Sequence, residues 1–525
     1  MYWEFPYPSR RVPVCARNVV ATSQPLAAQA GLNVLRQGGN AVDAALASAI
    51  TLTVVEPTSN GIGSDAFAIV WDGSELHGFN GSGRSPRAWS EDRFAACEAI
   101  TVGWDSVTVP GAVDTWRQLS ERFGRMAFDA LFDSAIDYAR TGFVVTPTIA
   151  GQWREAVDGY RDFPDFLAAF LRDGRAPLPG EIFRFPEQAA TLQSIAETRG
   201  DALYRGPLGD TLVAHARRQG GVMERADLES HRGEWVDLLT QSYRDIDVYE
   251  IPPNGQGVAV LIALGILTHV HLEEYPLDGA DSIHLQIEAM KLAFRDLQAH
   301  VADPAHMRLA PEDLLDTQRL AALAGGIDVK RASAMAVPVI DDGGTVYLST
   351  ADDSGMMVSY IQSNYWGFGS GVVIPGTGIS LQNRGAGFNL THGHPNCVAG
   401  GKRPLHTIIP GFVRRGGQPL LAFGVMGGHM QAQGHVQMCV RLFDHGQNPQ
   451  AAADGPRWFV DTRGAVALES GLACTIGPDL AARGHALATP APVSLFGGAQ
   501  LIQRLDNGYY CAGSDPRKDG QAVGY

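Results

Sequence analysis

Apolar and polar positions follow two different periods along this chain, and the change between them divides it. From Pro25, the residues Leu26, Ala30 and Leu35 recur on one helical face, and Gly38-Gly39 supplies a stop. A second, alanine-rich helix is predicted from Ala41 to about Thr53, with small residues suited to close packing. Glu56-Pro57 and Ser59-Asn60-Gly61-Ile62-Gly63-Ser64 then form a glycine loop ahead of a strand from Phe67 to Trp71. That loop is too short for a phosphate-binding fingerprint and reads as a turn packed near the core. The middle third is mainly helical, with Ile283, Ile287, Met290, Phe294 and Leu297 on one face. Between residues 324 and 344 the pattern dissolves into small residues, Pro338 and Asp341-Asp342-Gly343-Gly344, which marks a boundary. The period then drops to two. A hairpin is predicted from Val346 to Thr350 and Met357 to Gln362, around the turn Asp352-Asp353-Ser354-Gly355. Further strands are expected at 371–374, 408–414 and 420–425. Helices first and strands second predict a mixed sheet covered by helices, of α/β or α+β class.

Composition narrows the function. The chain has 525 residues, 18% of them charged and 45% apolar, with a formal net charge of −15. That acidity argues against nucleic acid or an anionic membrane surface as the main partner. Six scattered cysteines without a CxxC pair read as reduced residues. No apolar run is long enough to span a bilayer. The start MYWEFPYPSRR lacks the basic and apolar regions of a secretory signal, so a cytoplasmic protein is expected.

One threonine carries the candidate chemistry. Thr345 opens the first strand after the Asp-Asp-Gly-Gly run. A threonine hydroxyl is a poor nucleophile without an adjacent base. Breaking the Gly344–Thr345 bond would create an α-amino group, with a reference pKa of about 7.7–8.0, attached to the nucleophile itself. Taken alone, a Gly-Thr pair at a strand start is in most cases a structural feature.

The surrounding blocks bear on that choice. They include PLAAQAGLNVLRQGGNAVDAALA, VVEPTSNGIGS, GDALYRGPLGDTLVAHARRQGGVM, IEAMKLAFRD, GGTVYLSTADDSG, FGSGVV, GKRPLHTIIP and GVMGGHMQAQGH. From about Val19 to the C-terminus the chain resembles the gamma-glutamyltranspeptidase family. The resemblance implies an α+β fold, a four-layer αββα sandwich of the N-terminal nucleophile hydrolase type. It implies a precursor cut into a large segment, 1–344, and a small one, 345–525, which together form one catalytic unit. By matching position, Thr345 is the nucleophile and Ser363 the hydroxyl that supports it. Gly427 and Gly428 supply oxyanion-hole amides; read without the family they form a strand-end turn. No cofactor or metal is implied, and a homodimer of such two-segment units is compatible with the family.

The substrate positions depart from the family pattern. Typical members hold a glutamyl α-carboxylate with an arginine in an FRE-type motif; this chain reads Phe79-Asn80-Gly81-Ser82-Gly83-Arg84. The usual NQMDDF-type stretch is Asn383-Arg384-Gly385-Ala386-Gly387-Phe388, with glycine at the acidic position that binds the α-ammonium. His406 and Thr407 replace the two serines of PLSS, and the loop at 389–401 is short. Tyr365 and Asn383 complete the substrate-binding candidates. Losing the acidic residue removes the partner of a buried ammonium, so the expected acyl group carries a carboxylate and no amine. Arg84 and Arg384 are its candidate partners, unless each pairs with a protein carboxylate. The GSGR and HTIIP segments resemble an oxamate amidohydrolase subgroup, which implies oxamate cleaved to oxalate and ammonia. A glutaryl-type acylase and a gamma-glutamyltransferase or glutathione hydrolase are alternatives on the same fold. Two rivals of other classes are a metal hydrolase using His392, His394, His429 and His435, and a catalytically silent binding homologue.

Overall fold

The protein is described by a computed structural model covering residues 3, 9–334, 343–461, 463–488 and 490–525. The expected boundary at 324–344 lies partly outside the described residues, at 335–342.

Two seven-stranded sheets form the centre. One runs Val14–Ala16, Tyr510–Ser514, Gly498–Arg504, Gln418–Met426, Gly411–Arg415, Ile246–Glu250 and Leu239–Tyr243 in spatial order. The other runs Gln521–Gly524, Val19–Thr22, Gly344–Ala351, Met357–Tyr365, Asp65–Trp71, Leu76–Asn80 and Glu234–Val236. The ladders within both are antiparallel, so α+β holds and the α/β option falls away.

Three apolar layers stack these sheets between helices. Phe67, Ile69, Tyr347, Ile361, Phe412 and Ile502 come from both sheets and fill the space between them. The helices Pro25–Arg36 and Ala41–Val55 cover the outer face of the second sheet. The helices Gly257–Leu267, Ala280–His300 and Met430–Cys439 cover the first. The result is the four-layer αββα sandwich. Three of these helices, Ala41–Val55, Gly257–Leu267 and Met430–Cys439, are buried all round; the first two are mostly apolar, as such helices usually are, while the third carries buried glutamines. No helix among the described residues is long and apolar enough to cross a membrane.

The predicted hairpin is present and longer than expected, Gly344–Ala351 with Met357–Tyr365. It sits at the middle of its sheet, flanked by Val19–Thr22 and Asp65–Trp71. The strand expected at 371–374 shortens to Val373–Ile374. Three C-terminal strands, Gly498–Arg504, Tyr510–Ser514 and Gln521–Gly524, carried no sequence prediction.

A buried ion pair ties this C-terminal region down. The Arg457 guanidinium bonds to Asp515, and both side chains are fully buried. Arg457 also donates to the Phe496 carbonyl at 2.7 Å, while Asp515 accepts from the Ala499 amide at 2.7 Å. Removing one partner of such a pair strands the other charge. We expect Asp515→Ala to destabilise the fold by about 3–5 kcal/mol, read as a lower midpoint in chemical denaturation, and an unchanged midpoint would contradict this role.

Candidate active site

The hairpin register breaks where the threonine lies. Gly344 pairs with Tyr365 and Val346 with Gln362, leaving Thr345 opposite two residues of the partner strand. This bulge lifts Thr345 out of regular pairing, and Tyr365 takes a positive φ of 80° beside it. The strand begins at Gly344, one residue before the expected start.

A relay of hydroxyls follows from that geometry. Thr345 Oγ1 donates to Ser363 Oγ at 3.2 Å, and Ser363 Oγ donates to the Gly344 carbonyl at 2.7 Å. Ser363 also accepts the Tyr365 amide at 2.8 Å, which fixes its rotamer. Gln431 Nε2 reaches Thr345 Oγ1 at 3.3 Å from the other side, its own Oε1 held by the Ile409 amide at 3.0 Å. Thr345 is only 2% exposed, so these contacts are made largely out of water.

Gly427 and Gly428 end the strand Gln418–Met426 with φ of 115° and 56°, conformations that side-chain-bearing residues rarely adopt. The helix Met430–Cys439 starts immediately afterwards, so its positive end faces the same spot. A methyl group placed on Gly343 would come within 2.5 Å of the Gly428 nitrogen. The segment entering the Gly344–Thr345 bond therefore lies directly against the Gly428 amide. Gln256 braces this turn, donating to the Gly428 carbonyl at 3.0 Å and accepting from His429 Nδ1 at 3.0 Å.

The candidate substrate residues separate into two groups. Arg384 is fully buried, donates to Thr407 Oγ1 at 2.7 Å, and stacks over the Tyr365 ring at 4.4 Å. Its Nε and Nη2 have no hydrogen-bond partner. Burial lowers its pKa to about 10, against the opposing pull of Asp65. Arg384, Thr407 and Tyr365 thus form one cluster, joined to Thr345 through the Tyr365–Ser363 contact. Arg84 is drawn elsewhere. It pairs with Asp303 at 2.8 Å and Glu234 at 3.3 Å, the protein-carboxylate alternative, and is not carried forward as a substrate ligand. Asn383 is spent on structure, accepting from the Trp366 amide and donating to the Thr101 carbonyl. His406 is fully buried and donates from Nε2 to Asp65 Oδ2 at 3.1 Å, while the Ile408 amide reaches its Nδ1 at 3.4 Å. This arrangement holds the neutral ring, and burial drives its pKa well down.

Asp65, Gln256 and Gln431 were not singled out from sequence. Asp65 opens an otherwise apolar, wholly buried strand. A carboxylate there was the available signal. It pairs in register with Ser363 and accepts from the amides of Gly83 and Gly111.

The four histidines of the metal hypothesis go to separate partners: Glu91, the Gln298 carbonyl, Gln256 and Glu250. Among the described residues, His284, Glu288 and His485 alone are grouped closely enough to hold an ion, and none of them bonds to the Thr345 relay.

Residues 27–525 match the gamma-glutamyltranspeptidase family model. The chain belongs to this family. Similar relatives include a glutathione hydrolase-like proenzyme of Bacillus subtilis, 35% identical over 97% of this chain and 98% of the relative. The oxamate amidohydrolase proenzyme of Klebsiella pneumoniae is 33% identical over 98% and 99%. Among solved structures, a cephalosporin acylase from Bacillus halodurans superposes with a TM-score of 0.94 at 45% identity, covering 100% of this chain and 99% of the other. This gamma-glutamyltranspeptidase-family chain is a hydrolase of the N-terminal nucleophile type.

Burial pushes Asp65 up from 3.8 to about 7 despite its donors and the nearby Arg384 charge. A carboxyl that holds its proton longer when folded adds stability fully below pH 3.8, and that contribution is lost as pH rises to about 7. We expect Asp65→Asn to flatten the fall of Tm across this window. Parallel wild-type and variant curves would show that Asp65 titrates normally.

Proposed function

We propose that this chain is a self-processing amidohydrolase that cuts its own Gly344–Thr345 bond. Mature enzyme would then hydrolyse amides whose acyl group carries a carboxylate and no α-amine. The relay Thr345–Ser363–Gly344 carbonyl carries the first half of this reading. Ser363 accepts the hydroxyl that must attack and polarises the carbonyl that must be attacked. Attack of Oγ1 on the Gly344 carbonyl carbon gives a tetrahedral oxyanion. Collapse breaks the C–N bond, protonates the departing Thr345 amine and leaves an ester on Oγ1. One water then hydrolyses that ester, freeing the Gly344 carboxylate and the threonine hydroxyl.

In turnover, the free amine takes the Oγ1 proton as the hydroxyl attacks the substrate amide, and returns it to the leaving amine. The amides of Gly427 and Gly428 are the proposed donors to the oxyanion; one such donor is typically worth about 2.7–4 kcal/mol. Water then releases the acyl group. Arg384 supports the substrate class, because two of its N–H groups are buried without a partner and a carboxylate would satisfy them in parallel.

Oxamate is the smallest amide of this class. A second observation favours larger ones. A cavity of about 410 Å³ opens onto Gly343 and Gly344, with Tyr160, Trp366, Thr58 and Lys518 in its wall. That space borders the Gly343–Gly344 side of the bond and is not lined by Arg384, so it would take the second half of a larger, glutaryl-type amide, in keeping with the acylase among the similar structures.

Wild-type protein should give two bands on a denaturing gel, the smaller beginning at Thr345, and Thr345→Ala should give one inactive band. An active single chain would overturn the nucleophile assignment. On an amide panel, oxamate and glutaryl amides should be cleaved and γ-glutamyl anilides hardly at all. Arg384→Met should lower kcat/KM for the carboxylate-bearing amides by about 10²-fold while leaving self-cleavage intact. Strong γ-glutamyl transfer would reject the anionic-acyl pocket.

A further inference from the structure

Two of the six cysteines face each other across a sheet edge. Among the described residues, strand Val14–Ala16 pairs only with Tyr510–Ser514, antiparallel, with Cys15 directly opposite Cys511. Directly opposed residues in such a ladder have Cα atoms about 4.5–5.5 Å apart, inside the range of about 4.4–6.8 Å that a disulfide bridges. After burial, the neighbouring Cys15 thiol is what pushes the Cys511 thiol up. Both are free in this structure, Cys15 exposed at the edge strand and Cys511 buried beneath it. The remaining cysteines, Cys97, Cys397, Cys439 and Cys474, lie on other elements or loops.

We propose that Cys15 and Cys511 form a cross-strand disulfide when the protein meets a small-molecule disulfide oxidant. The asymmetry of exposure sets the order of steps. The Cys15 thiolate attacks one sulfur of the oxidant, forming a mixed disulfide and releasing one small thiol. Cys511, whose burial pushes its pKa up to about 12, then loses its proton as it attacks the Cys15 sulfur. The protein disulfide closes and the second small thiol leaves. Two protein thiols are oxidised by two electrons, the oxidant is reduced to two thiols, and two protons pass to them. The slow step is the second, because a thiol with a raised pKa is a thiolate only rarely.

The position of this bond gives it a consequence, which rests on the scission proposed above. Cys15 lies before Gly344 and Cys511 after Thr345, so the bond would join the two segments covalently across the first sheet.

Purified protein is incubated with bis(2-hydroxyethyl) disulfide, alkylated and mapped by mass spectrometry. We expect loss of two free thiols and a Cys15–Cys511 linked peptide, in wild type and in uncleaved Thr345→Ala alike. On a denaturing gel, oxidised wild type should run as one band near full length without reductant and as two with it. Cys15→Ser should give two bands in both lanes. Absence of the linked peptide in both proteins overturns the disulfide. A linked peptide with a single band in every lane instead removes the scission and leaves the disulfide standing.

Discussion

One serine hydroxyl organises the surroundings of the Gly344–Thr345 bond. Ser363 receives the threonine hydroxyl, gives its own proton to the Gly344 carbonyl, and is pinned by the Tyr365 amide. It can do all three because the hairpin bulges there and brings three consecutive residues of one strand around two of the other. The positive φ of Tyr365, the two glycines before the bond and the central place of the hairpin are parts of the same constraint. A shift of one residue in register would turn Ser363 to the other face of the sheet and dissolve the relay.

Around this point the fold supplies electrostatics rather than further nucleophiles. The turn at Gly427-Gly428 stands at the positive end of a helix and is braced by Gln256. Arg384 places a charge in a fully buried setting, with Asp65 as its nearest compensating carboxyl. Asp65 in turn is occupied by two backbone amides and His406, so its charge is shared and Arg384 keeps two free donors. On the proposed reading, a buried cation arranged in this way is an unfinished ion pair that a planar carboxylate would complete.

The fold was largely legible from hydrophobic period. The helices at Pro25, Ala41 and Ile283 and the hairpin after Gly344 emerged because each is long and its pattern unmixed. Strands Gly498–Arg504 and Tyr510–Ser514 escaped because both faces of the sheet are covered there, which erases alternation. At the site, Thr345, Ser363 and the two glycines were singled out through blocks of resemblance, and the fold brings Thr345 and Ser363 into contact. The choice left open for Arg84 could not be made from sequence, because a loop arginine's partners, here Asp303 and Glu234, come from segments far away along the chain. Gln431 and Gln256 were invisible for a related reason: an uncharged amide acquires its role only from what tertiary packing sets beside it.

The strand bearing Thr345 is hydrogen-bonded on both sides, to Val19–Thr22 and to Met357–Tyr365. Its first residues are held on the Met357–Tyr365 side, while the pairing with Val19–Thr22 begins at Leu348, and Thr345 is buried. Under the proposed scission, assembly would precede severing: the finished sheet would be the template that presents the bond. A newly made end would stay anchored by the neighbours that exposed it to attack. Two separately synthesised halves would face a harder task, since each would have to solubilise half of an open central sheet before meeting the other.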